Sequence, residues 1–155
     1  MARPLPNKFL GIDYGMARIG LALSDERKII ASPLFTLTTE SKLEQTVEKL
    51  LIEIEKHQQE HGYVIDTIVV GLPLLMSGKE GLIADEVNHF VGLLKKSLSI
   101  PIQTWDERLT SVLAERTLRE SNLSRKKRTK FVDTVSAVII LQNYLDMKSL
   151  QQDLS

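Results

Sequence analysis

Residues 9–24 read Phe9-Leu10-Gly11-Ile12-Asp13-Tyr14-Gly15-Met16-Ala17-Arg18-Ile19-Gly20-Leu21-Ala22-Leu23-Ser24, two short apolar runs joined by a glycine-containing turn. That pattern predicts two strands in a hairpin. Nothing in Phe9–Ile12 is polar, so the first strand is expected to be buried on both faces, in the middle of a sheet. Asp13 sits at its end. An ionised carboxylate in such a place needs a cation or a set of donors. Asp also accepts backbone N–H bonds in many turns, so Asp13 taken alone reads equally well as a turn residue.

The remaining chain supplies the context for that carboxylate. At 155 residues and 43% hydrophobic content, one globular domain with a real core is expected. Its bounds are read as a flexible leader over 1–8, a domain over 9–147 and a tail over 148–155. Twenty basic and twenty acidic residues balance, so the total charge says nothing of partners and only its distribution can. The lack of cysteine excludes disulfides, thiolate zinc sites and a cysteine nucleophile. Neither an apolar leader nor a run of membrane-spanning length is present, which points to a cytoplasmic protein without membrane partners.

In order, Ile29–Leu37 reads as a third strand broken at Pro33, completing an antiparallel meander. Ser41 and Glu44 have capping-box spacing. Leu43, Val47, Leu50, Leu51 and Ile54 recur with helical period to about Gln59. His57 and His61 form an i, i+4 pair, for which placement at a helix C-terminus is a cheaper account than metal binding. Thr67–Gly71 reads as a buried strand, followed by a proline- and glycine-rich loop, Leu72–Gly81, where α/β sheets place ligands. Ile83, Val87, Phe90, Val91, Leu94 and Leu98 predict a second helix. Pro101–Trp105 is a last strand running into Asp106-Glu107-Arg108. A third helix is expected over Ser111–Ser121, then a basic loop over 122–130. A final helix over about Lys130–Met147 carries one stripe of Phe131, Val135, Val138 and Leu145 beside another of Asp133, Ala137, Ile140 and Tyr144. The order implies an α/β fold with a mixed five-stranded sheet ordered 3-2-1-4-5 and flanked by helices.

In that order the ends of the first and fifth strands lie at one edge, roughly 10 Å apart at the backbone. Asp13 and Asp106 or Glu107 then face a common space. Asp133, near a helix start in an apolar neighbourhood, is odd as packing but sensible beside them. Two or three carboxylates with open positions for water and phosphate suit Mg²⁺. Such an ion, or a pair about 4 Å apart, can drive phosphodiester hydrolysis. No Ser/His/Asp arrangement or histidine-rich cluster competes. The charge distribution agrees: between Arg108 and Lys130 stand eight basic residues, including Arg125, Lys126, Lys127 and Arg128, against Glu115 and Glu120. Charge runs are usually solvated faces. This one lies between the second and third carboxylates, where it could hold a polyanion against them.

Together these residues resemble the bacterial YqgF-type pre-16S rRNA nucleases, also described as Holliday-junction-resolvase-like proteins. The matching segments are Gly11-Ile12-Asp13-Tyr14-Gly15 with Arg18-Ile19-Gly20, Val70-Gly71-Leu72-Pro73 with Gly78 and Glu80-Gly81, Asp106-Glu107-Arg108-Leu109-Thr110-Ser111, and Arg125-Lys126-Lys127 through Asp133 to Gln142. The first is weak alone; the four in order are specific. The resemblance implies an RNase H-like fold and a nuclease, dependent on Mg²⁺ or Mn²⁺, that trims the 5′ end of precursor 16S rRNA. It makes Asp13, Glu107 and Asp133 the catalytic metal ligands, with Asp106 a lesser candidate. Arg18, Arg108, Arg125, Lys126, Lys127, Arg128 and Lys130 become the nucleic-acid contacts. Ribosomal particles are implied partners, and the chain would work as a monomer or homodimer. Leu75 and Ser77 stand where the family usually has Asn and Asp, Ser136 where Ala is usual, and Trp105 is a less usual neighbour of Asp106.

Two other functions fit the same residues: a resolvase of branched DNA, and a non-catalytic RNA-binding assembly factor. The Asp-Tyr-Gly hairpin also resembles the first phosphate loop of the sugar-kinase and actin ATPases. Those need a second phosphate loop and a second domain, for which this chain has neither the glycines nor the length.

Overall fold

The computed structural model describes residues 4–73, 81–106 and 125–154, with the backbone alone at 125–134 and 153–154. Strand β1 (Asn7–Tyr14) pairs antiparallel with β2 (Arg18–Ser24), placing Asp13 opposite Gly20 and Tyr14 opposite Ile19. Strand β3 (Ala31–Thr38) extends the meander, and β4 (Val64–Leu72) and β5 (Ile102–Asp106) add in parallel on the other side of β1. The order is β3-β2-β1-β4-β5, as the sequence implies. Each parallel step needs a crossover. Helix α1 (Leu43–His61) supplies the first and α2 (Leu82–Ser97) lies in the second.

Strand alternation sends side chains to two cores. Leu10, Ile12, Tyr14, Ile19 and Leu21 join Leu50, Ile54, Phe90 and Leu94 beneath α1 and α2. On the other face Ala22 and Val69, with Phe9 and Trp105 beside them, meet the final helix α3 (Arg125–Leu154) through Ala137, Ile140, Leu141, Tyr144 and Leu145. β1 is thus sandwiched, and its apolar run is explained.

Several expected boundaries move, for local reasons. β1 begins at Asn7 rather than Phe9, because the Val64 N–H reaches back to Pro6 and Asn7 already pairs with Val64. No side chain caps α1 at its N-cap, Lys42, so the Ser41/Glu44 capping box does not form; the Thr46 hydroxyl instead accepts the Glu40 N–H. Ile29 and Ile30 belong to the β2–β3 turn rather than to β3, held by the Asp25 carboxylate, which accepts both their N–H groups. Pro33 lies inside β3 at a register shift on an edge strand, where its missing N–H is tolerated. The basic run from Arg125 is helix rather than loop, and the helix continues past Met147 to Leu154. Lys and Arg are good helix formers, and nothing from 125 to 154 is Gly or Pro. The helix expected over Ser111–Ser121 lies outside the described residues.

Candidate active site

Asp13 owes its position to glycine. Gly11 faces α3 so closely that a Cβ there would stand 2.7 Å from the Leu141 Cβ and 3.1 Å from the Ala137 carbonyl oxygen. Two residues on, Asp13 shares that face. Its ladder partner in β2 is Gly20. On the other side Gly71 follows Val70, which pairs with Ile12, and shares a face with Val69 of the α3-side core. Neither flanking position has a side chain to fill the sheet surface beside Asp13. The carboxylate stands half-buried at the strand end. Gly15 closes the turn beyond it, since a Cβ there would meet the Arg18 carbonyl oxygen at 2.5 Å.

Helix α3 runs antiparallel to β1. Gly11 lies under Ala137 and Leu141, and Phe9 packs on Tyr144 with ring centroids 5.9 Å apart. Stepping from Gly11 to Asp13 advances about 6.6 Å along the strand, and stepping back from 137 to 133 advances about 6 Å along the helix. Position 133 falls on the stripe of Ala137, Ile140 and Tyr144, all buried against the sheet. Of the two stripes that the sequence offers, this one is buried at Ala137, Ile140 and Tyr144, whereas the other buries Leu145 and leaves Val135 and Val138 half-buried. The α3 backbone before Ala137 thus runs toward the end of β1 that bears Asp13.

β5 ends at the same edge, with Asp106 opposite Leu72 and Trp105 opposite Gly71. Gln103 faces α3, because the Tyr144 hydroxyl donates to its Oε1 at 2.9 Å. Trp105 shares that face, meeting the Tyr144 ring edge-on at 6.0 Å. Alternation therefore turns Asp106 to the opposite face from Asp13. Arg18, two residues before Gly20, lies on Asp13's face, half-buried at the start of β2. Glu107, Arg108 and loop residues Leu75, Ser77 and Lys79 lie outside the described residues. So do the side chains of Arg125, Lys126, Lys127, Arg128, Lys130 and Asp133.

Tyr14, the next residue after Asp13, points to the other core. Its hydroxyl donates to Glu86 Oε1 of α2 at 2.9 Å, and its ring packs on Phe90 with centroids 4.9 Å apart. Burial, the hydrogen bond to Glu86 and the charge of Glu86 together push the phenol up to about 12. Sequence reasoning missed this pair: strand alternation could have sent Tyr14 away from Asp13, but nothing marked Glu86 among the helix acids. His57 and His61 stack with centroids 4.0 Å apart at the end of α1, and His57 Nδ1 shares a 2.8 Å hydrogen bond with the Tyr63 hydroxyl. Among the described residues no three His, Asp or Glu side chains gather in a metal-holding group. A cavity of about 490 Å³ lies between the β2–β3 turn and the last turns of α3, lined by Phe9, Lys28 and Leu145 among others. It is at the end of the sheet away from Asp13 and plays no part in this site.

Comparison with known proteins agrees with the fold. A Protochlamydia amoebophila protein bearing the name pre-16S rRNA nuclease is 61% identical over 94% of this chain and 97% of its own length. A Clostridium acetobutylicum protein of the same name is 42% identical, over 90% and 98%. Thermus thermophilus RuvC, solved in complex with a Holliday junction substrate, covers 92% of this chain and 96% of its own with a TM-score of 0.55. At 14% identity that likeness shows the fold alone, which is RNase H-like. No helix among the described residues is long and apolar enough to cross a membrane. The family model RuvX, described as Holliday junction resolvase, matches residues 7–147, and the chain belongs to that family.

Proposed function

We propose that this protein is a divalent-metal-dependent nuclease that hydrolyses phosphodiester bonds at the 5′ end of precursor 16S rRNA, in the cytoplasm and on assembling ribosomal particles. One observation carries the reading: Asp13 stands near the end of the buried strand β1 on the face that α3 covers, opposite Gly20 of β2. Carboxylate oxygens suit a hard cation that keeps several waters. Asp13, Glu107 and Asp133 would hold Mg²⁺ or Mn²⁺ there. When bound, such an ion polarises a phosphoryl oxygen and lowers the pKa of the attacking water. Asp106, turned to the other face, is left out. The chain's own part is to fix the Asp13 oxygens at the edge and to hold the polyanion. Arg18, on the same face, and the cations Arg108, Arg125, Lys126, Lys127, Arg128 and Lys130 supply phosphate contacts.

The names of the close relatives favour RNA; the family description favours a four-way DNA junction. Cleavage of a precursor 16S 5′ leader and of a four-way DNA junction, assayed side by side with Mg²⁺ and Mn²⁺, decides between them. Asp13→Asn keeps size and hydrogen-bonding capacity but removes the charge. Its cleavage rate is expected to fall by roughly 10²-fold or more with RNA affinity nearly unchanged. A folded Asp13→Asn protein that cleaves like the parent overturns the metal site. A parent protein that binds leader RNA tightly and cleaves neither substrate with either metal supports a non-catalytic assembly factor instead.

A further inference from the structure

We infer that Tyr14 and Glu86 form a positioning pair that holds the Asp13 carboxylate in its working place, an inference that rests on the reading of Asp13 given above. The pair acts at the very end of β1. Parallel pairing of β1 with β4 runs from Asn7 to Ile12, whereas antiparallel pairing with β2 continues through Asp13 and Tyr14. The last two residues of β1 therefore project beyond the β4 pairing, and the chain turns immediately after them. A strand end beside a turn is where fraying begins. Metal-directed chemistry, however, loses rate steeply when a reacting group shifts by as little as an ångström.

Tyr14 anchors this strand end from the opposite face. It is nearly buried, at 7% exposure, with its ring against Phe90 and its hydroxyl donating to Glu86 at 2.9 Å. Both partners belong to α2, which packs on β4 and β5. Because successive strand residues point oppositely, fixing the Tyr14 side chain below the sheet fixes the direction of the Asp13 side chain above it. The link has a second consequence. Glu86 lies just over one turn into α2, whose N-cap is Gly81, at the end of the loop that follows β4. The strand bearing Asp13 and the helix that receives this loop are thus tied by one hydrogen bond. Tyr14 touches no substrate; it acts through Asp13.

The test compares Tyr14→Phe, Glu86→Gln and Glu86→Ala with the parent, measuring folded fraction, RNA Kd, kcat and KM, and Mn²⁺ affinity by calorimetry without RNA. Tyr14→Phe keeps the ring on Phe90 and loses only the hydroxyl. It is expected to lower kcat about tenfold and Mn²⁺ affinity several-fold, with KM, RNA Kd and folded fraction unchanged. Glu86→Gln retains an acceptor oxygen and should recover most of the parent rate, whereas Glu86→Ala should match Tyr14→Phe. Parent-like kcat and Mn²⁺ affinity in Tyr14→Phe overturn the inference. So does a rate loss explained wholly by unfolding, or a Glu86→Gln protein as impaired as Glu86→Ala. Asp13→Asn is run alongside. If it is active, the reading of Asp13 has failed; if it is inactive while Tyr14→Phe behaves as the parent, only the positioning pair has failed.

Discussion

Gly11 of β1 and Leu141 of α3 approach so closely that the smallest side chain at Gly11 would bring two β-carbons within 2.7 Å. The contact is central to the α3 core, where Leu141 is fully buried, and the Ala137 backbone closes the other side. Neither neighbour is the flexible tip of a side chain, so the helix itself would have to move. Gly11→Ala is expected to destabilise the fold by about 1–3 kcal/mol through overpacking. It should also lower cleavage beyond the loss of folded protein, because α3 bears position 133. Urea midpoints with activity per folded molecule check both; an unchanged midpoint would mean that α3 lies off β1 in solution.

Gly62 offers the contrasting case. It ends α1 in the left-handed conformation, at φ 68°, donating its N–H to the Gln58 carbonyl, and a Cβ there meets nothing within 4 Å. Substitution costs conformation alone. Gly62→Ala should lower stability by about 1 kcal/mol and leave the cleavage rate per folded molecule at the parent value. Gly62→Asn, which tolerates the left-handed region better, should fall between the two.

How much of this was legible in the sequence depended on how local the determining physics was. Strand order followed from short apolar runs, two crossover helices and the handedness of parallel connections, all visible as periodicity. The stripe Ala137, Ile140 and Tyr144 was visible too, but not that it would outcompete Val135 and Val138. That choice is made by Gly11, which admits the helix backbone above it. The capping box failed because the helix begins one residue later than that spacing requires, with Lys42 rather than Ser41 at the N-cap. The start of α3 was missed because five cations between 125 and 130 read as a solvated loop, although each is a good helix former. Asp13 was legible as an unusual polar residue ending a buried strand. Tyr14–Glu86 was not, since a pairing 72 residues apart leaves no periodic trace.

The helical start of α3 changes what the basic run can do. Four consecutive residues wrap about 300° around a helix, so Arg125, Lys126, Lys127 and Arg128 cannot share one face. Positions 125 and 128 do, as do 126 and 130. Replacing Arg125 and Arg128 together by Ala should lower the slope of log affinity against log salt by up to ~0.7–0.9 per lost phosphate contact, with similar weakening across RNA sequences. The pair 125 and 127, on different faces, should cost less. Binding measured from low to high salt separates these; equal slopes in every variant would mark the run as a solvated helix end.

The last prediction concerns pH, at a place remote from Asp13. His57 is half-buried between the Phe35 ring, at 5.9 Å, and the Tyr63 hydroxyl, at 2.8 Å from Nδ1. Burial lowers its pKa below the ordinary 6.5 and the charge of His61 lowers it further, against an upward pull from Glu60 and with a still smaller downward effect of Lys8. In the unfolded chain His57 takes up a proton as pH falls through about 6.5. The folded chain resists until a lower pH. Across that window the unfolded state binds more protons, so stability rises with pH and is lost as the solution is acidified. The loss begins as pH falls through about 6.5, where the unfolded chain takes up its proton, and is complete below the lower folded value. Unfolding of the parent and of His57→Gln, followed by urea at pH 7, 6 and 5, should show the parent losing more stability on acidification. His61→Gln, which removes a repelling charge but keeps the buried ring, should lie between them. Protonation of Asp and Glu is common to all three proteins and cancels in the comparison. Parallel stability curves for the parent and His57→Gln would mean that the imidazole is as free to take a proton in the folded chain as in the unfolded one, and that its burial against Tyr63 is not maintained in solution.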